Sequence, residues 1–147
     1  MREKRRLALA RRQLVLAQIA RREAIAALGD AIAEEAKSAN VAARSGQLVR
    51  EYGQRPSPGG PAKLLQDHLT FVRSLQAIHE QAREAHEDAL DQSRWQASTL
   101  AEAQARADRT EQRYAEAKRT LRKVLEQREE TTFGRMARRL QSGSGDY

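Results

Sequence analysis

A cluster of proline and glycine at Pro56-Ser57-Pro58-Gly59-Gly60-Pro61 divides a chain that otherwise reads as helix, with about fifty residues before it and about eighty after. Three prolines within six residues remove amide donors and clash with a preceding helical turn, so no helix runs through this segment. Short connections between helices usually make them antiparallel neighbours. The expected architecture is therefore all-α: an antiparallel two-helix coiled-coil hairpin with a longer second helix. Helix one is predicted over about 3–54, the turn over 55–61 and helix two over 62–140, forming one elongated domain. A fold at the turn pairs Met1 with a position near Ala115, leaving the end of helix two unpaired. The last residues, 141–147, lack a packing stripe and read as a flexible tail.

Composition sets the kind of core such a hairpin can have. The chain is 39% hydrophobic but only 4% aromatic, with alanine supplying much of the apolar count. Alanine favours helix yet buries little area, so stability must come from a long, thin seam. There is no cysteine, which excludes a disulfide scaffold and cysteine-based chemistry. The basic start Met1-Arg2-Glu3-Lys4-Arg5-Arg6 is followed by leucines that Arg11 and Arg12 interrupt, so no signal-peptide core is expected, and no stretch approaches a membrane span.

Two rows define the first arm. Leu7, Leu14, Leu28 and Val49 share a heptad position, and Ile25, Ile32 and Ala39 are taken as its partner row four residues on. Arg21 and Glu35 interrupt the first row and Arg11 and Gln18 the second, while Leu9, Leu16 and Ile19 widen the apolar surface. In the second arm, Phe71, Leu75, Ile78, Ala82, Ala85 and Ala89 follow steps of three and four. Leu100, Ala103, Ala107, Thr110, Tyr114, Ala117, Leu121 and Val124 resume them after a softer stretch at Gln92 and Gln96. Gly29 and Gly46 are places for a bend or a close approach.

The formal charge is +7, from 27 basic and 20 acidic residues, and it is unevenly spread. Residues 1–23 hold eight Arg or Lys against Glu3 and Glu23, and residues 113–139 hold nine against four acids. Residues 80–91 hold five acids against one arginine. The hairpin brings the basic ends together. Such an end serves as a solvated surface, a protein-docking surface or a nucleic-acid surface; the last lacks an aromatic platform or base-reading motif, and no nucleic-acid partner is expected.

Catalytic chemistry is not expected. His68, His79 and His86 form no i,i+4 ligand pair, the acidic interval reads as a hydrated helix face, and no metal is assigned. No phosphate-cradling G-x-x-x-x-G-K-[ST] run occurs, and no nucleophile constellation is present, so neither cofactor nor enzyme activity is expected.

The order of these features resembles the FliJ family, the small coiled-coil component of the bacterial flagellar type III export apparatus. The resemblance covers residues 3–140. It rests on Leu7-Ala8-Leu9-Ala10-Arg11-Arg12, Leu48-Val49-Arg50-Glu51-Tyr52, the proline/glycine turn, and Leu65-x3-Leu69-x-Phe71-x3-Leu75-x2-Ile78 before the longer helix. Leu7 stands where the family commonly carries an aromatic residue. The resemblance implies a non-enzymatic stalk whose terminal end enters the hexameric export ATPase. Arg5, Arg6, Arg11, Arg12, Arg122, Arg128, Arg135, Arg138 and Arg139 are then the docking charges, with Leu121, Val124, Met136 and Phe133 adding apolar contact. Phe71, Leu75 and Ile78 correspond to a patch that engages the cytoplasmic domain of the export gate. The implied partners are the ATPase hexamer, the gate and export chaperones, in the cytoplasm and peripheral to the inner membrane. A stalk of a related non-flagellar secretion system and an unrelated structural adaptor have the same pattern.

Overall fold

The computed structural model describes residues 1–56 and 59–145. It is an all-helical, two-helix hairpin in which α1 spans Arg2–Gln54 and α2, the longer, spans Ala62–Gly143. Alanine, leucine, glutamate, glutamine and arginine fill both helices, and these residues lose little on adopting helical geometry. α1 stops just before Arg55-Pro56, where the proline ring disfavours helix in the residue before it. Gly60 has φ of 151°, a backbone conformation that side-chain-bearing residues rarely adopt. The Pro61 carbonyl then accepts a hydrogen bond from the Leu64 amide at 2.9 Å, closing the first turn of α2. Of the turn expected over 55–61, Ser57 and Pro58 lie outside the described residues, as do Asp146 and Tyr147 of the expected tail. Gln141 to Gly143, expected in that tail, continue α2.

Contacts group the residues into two units, and each helix contributes to both. The turn unit is Arg22–Glu102; the terminal unit joins Met1–Arg21 to Ala103–Tyr147.

In the turn unit the inward side of α1 runs Ala24, Leu28, Ala31, Glu35, Ser38, Ala42, Ser45, Val49 and Tyr52, all buried or half-buried and spaced alternately by four and three. Its counterpart on α2 runs Val72, Leu75, His79, Ala82, His86, Ala89, Ser93, Gln96 and Leu100. Tyr52 meets Phe71, Ser45 meets His79 and Ser38 meets His86, so the helices are antiparallel. This is heptad packing, in which one face of each helix stays against its neighbour.

The partner of the leucine row is the alanine row three residues later, not the isoleucines four residues later. Ala24 and Ala31 are buried, whereas Ile25 and Ile32 are 52% and 53% exposed. Small side chains let two backbones come close, and isoleucine at the same place would hold them apart. A similar correction applies to α2. Phe71, Ile78 and Ala85 are exposed, and Val72, His79 and His86 take the seam positions expected of them. The two readings share Leu75, Ala82 and Ala89, so three-and-four spacing does not separate them; the histidines enter because serines face them.

In the terminal unit, Leu7, Ala10, Leu14 and Ala17 pack on the α2 face that carries Ala103, Ala107, Thr110, Tyr114, Ala117, Leu121 and Val124. The buried Thr110 hydroxyl donates to its own helix, to the carbonyls of Ala107 at 2.9 Å and Arg106 at 3.1 Å. Met1 Sδ lies 4.0 Å from Arg128 Nη1, so Met1 sits opposite Arg128 and not near Ala115. In the turn unit, pairing begins at Tyr52 and Phe71, and residues 62–67 of α2 are exposed before it starts. From Arg128 to Gly145 every residue is exposed, which leaves a single-helix overhang.

Candidate protein-docking surface

Charge separates the two units. The terminal unit carries eighteen Lys and Arg against eight Asp and Glu, whereas the turn unit carries nine against twelve. Among the described residues the ion pairs are Lys37 with Glu34, Arg83 with Glu80 and Arg94 with Asp91, all within one helix, all exposed and all in the turn unit. Exposed pairs of this type contribute at most about 1 kcal/mol. The basic side chains of the terminal unit therefore have no carboxylate within ion-pair distance among the described residues.

The overhang combines that charge with unburied apolar surface. Phe133, Met136 and Leu140 are 72%, 57% and 76% exposed, and steps of three and four put them on one face of α2. At 100° per residue, Arg135 and Arg138 fall on the opposite face and Arg139 at its side. Thr131 and Thr132 donate their hydroxyls to the carbonyls of Gln127 and Arg128, at 2.7 and 2.8 Å, and so remain inside their own helix. This segment presents an apolar stripe and arginine donors in the form of one unpartnered helix. Arg5, Arg6, Arg11, Arg12 and Arg122 are also exposed. Leu121 and Val124, expected to add apolar contact to the docking end, are instead half-buried in the seam.

Near the turn, the gate patch inferred from resemblance is partly presented. Phe71 is 46% exposed, its ring standing edge-on to Tyr52 with centroids 5.1 Å apart. Ile78 is 52% exposed, while Leu75 is half-buried against α1. Leu64, Leu65 and Leu69 add exposed apolar surface: Leu64 shares a heptad row with Phe71 and Ile78 and Leu65 one with Val72 and His79, but all three precede the contact of Tyr52 with Phe71, where pairing begins. Their signal in the sequence is a leucine cluster directly after the turn.

The histidines belong to packing. Ser45 Oγ donates to the Ala42 carbonyl at 3.0 Å and lies 3.0 Å from His79 Nδ1; Ser38 Oγ donates to the Glu35 carbonyl at 2.9 Å and lies 3.4 Å from His86 Nδ1. Each hydroxyl has one hydrogen with an acceptor already in its own helix, an arrangement that favours the ring nitrogen as the donor across the seam. Beside them, a Cβ on Gly46 would stand 2.9 Å from His79 Cε1, so the ring bonded to Ser45 would have to shift to admit one. Among the described residues no group of three or more His, Cys, Asp or Glu could hold a metal ion. No helix among them is long and apolar enough to cross a membrane.

Comparison with known proteins finds no family model, curated protein or solved structure that matches the chain. What stands is a small all-helical hairpin, an architecture consistent in general terms with a structural or adaptor role.

Proposed function

We propose that this chain is a non-enzymatic central stalk of a type III export apparatus of the flagellar kind, with the basic terminal end docking in an export ATPase hexamer. The observation that carries the reading is the overhang beyond Arg128, where Phe133, Met136 and Leu140 are bare and Arg135, Arg138 and Arg139 lie off that stripe. A carboxylate-bearing ring would pair with the guanidiniums while enclosing the apolar stripe, which is how charged and apolar contacts combine at protein interfaces. Arg5, Arg6, Arg11, Arg12, Arg122 and Arg128 would widen the charged contact. Exposure of Phe71 and Ile78 supports a second contact, with the cytoplasmic domain of an export gate. Both contacts would be carried by α2, so a partner at one would be tied to a partner at the other. The cytoplasmic face of the inner membrane, reached through partners, is the corresponding location, with export chaperones as further partners.

The test is ATP hydrolysis by the cognate export ATPase with and without this chain. The chain is expected to stimulate hydrolysis, and the triple variant R135E/R138E/R139E is expected to lose both stimulation and binding while its helical circular dichroism is unchanged. Full stimulation by the triple variant would contradict docking through the overhang. Stimulation of a non-flagellar secretion ATPase in its place would move the assignment to the related stalks.

A further inference from the structure

α1 has a second stripe with the same alternation as its seam. Arg2, Arg6, Leu9, Gln13, Leu16 and Ala20 follow steps of four and three, and Leu9 and Leu16 are 57% and 61% exposed. The apolar members of this stripe are Leu9, Leu16 and Ala20, and α2 leaves the two leucines uncovered within the terminal unit, where a helical neighbour would use them. Beside the stripe lies a groove of about 530 Å3 between the helices, with Gln13, Leu16, Ala17 and Ala20 on one wall and Arg106, Arg109 and Arg113 on the other. The three arginines are spaced i, i+3, i+7 and so form one row. Buried Ala17 and Thr110 lie at its base.

We propose that this groove seats a third helix supplied by a partner protein, amphipathic and acidic, with its apolar residues on Leu9 and Leu16 and its carboxylates along Arg106, Arg109 and Arg113. Charge complementarity selects this occupant. A second copy of the chain would bring the same basic unit against this one, eighteen bases and eight acids on each side. A lipid surface is planar, whereas the arginine row forms one wall of a groove whose other wall is apolar except for Gln13; an interfacial helix instead sinks its apolar face into the bilayer. The inference stands apart from the export reading, since neither the overhang nor an ATPase enters it.

The probe is a designed helical peptide of about three heptads, with leucine and alanine on one face and flanking glutamates. It is labelled and titrated with the full chain at physiological salt. The unaltered chain should bind it, a peptide with lysine in place of each glutamate should not bind, and R109E/R113E or L16D should weaken binding at least about tenfold with helicity unchanged. R44E/R50E, exposed in the turn unit and outside both the groove and the overhang, should bind as the unaltered chain does. Equal binding of both peptides, undiminished binding by the groove variants, or an equal loss in R44E/R50E would overturn the proposal. So would binding of the chain to anionic phosphatidylserine vesicles in preference to the peptide, or self-association that the groove variants abolish.

Discussion

Gly46 and Gly29 occupy the same helix and predict opposite outcomes for one substitution. At Gly29 no neighbouring atom lies within 4 Å of a built Cβ, so Gly29→Ala should stabilise by up to about 1 kcal/mol, the helix propensity gained. At Gly46 the same gain is set against a Cβ at 2.9 Å from His79, and overpacking costs about 1–3 kcal/mol. Gly46→Ala should therefore lower the urea midpoint while Gly29→Ala raises it. The close approach at Gly46 was open to a sequence reading only as one of two possibilities, since nothing in a run of residues says which part of α2 lies opposite. The serine–histidine pairs make a second local prediction. With each serine hydrogen held by its own helix, neutral His79 should carry its proton on Nδ1, as long-range proton–nitrogen NMR correlations would show. Ser45→Ala removes the acceptor and should cost about 1 kcal/mol, with most of the effect absent when His79 is already alanine.

The helices themselves were legible because their break is written in proline and glycine and their interiors in strong helix formers. Their facing surfaces were less so. Hydrophobicity points to Ile25 and Ile32, but the seam uses Ala24 and Ala31; what matters in a two-helix contact this thin is how closely backbones approach, and single-residue hydrophobicity does not carry that quantity. Ala17 is only 5% exposed, so Ala17→Leu should destabilise by about 1–3 kcal/mol through overpacking. Ile25→Ala, at an exposed site, should stay within about 0.5 kcal/mol of the parent in the same denaturant titration. Beyond Arg128 α2 has no helical neighbour, and a helix without tertiary packing is marginal in water. Backbone amides from about Thr131 onward should consequently exchange with deuterium far sooner than those around Ala107 or Ala82.

Counting charges along the chain locates the basic ends, and the arginines proposed for docking, Arg5, Arg6, Arg11, Arg12, Arg122, Arg128, Arg135, Arg138 and Arg139, are all exposed. The patch at Phe71 and Ile78 was readable as spacing, but spacing alone did not distinguish surface from seam. The groove walled by Arg106, Arg109 and Arg113 was not readable at all, because it exists only once two segments about ninety residues apart in sequence are set side by side. Each of these surfaces depends on the chain pairing with itself and not with a second copy, since coiled-coil seams serve either arrangement. Spin labels at Gln13 and Arg109, both on the same groove, address that dependence directly. In the doubly labelled chain, diluted into an excess of unlabelled chain, electron–electron resonance should give one short, narrow distance that dilution leaves unchanged. A short distance that disappears on dilution, or only long distances in a monomeric sample, would contradict the self-paired hairpin.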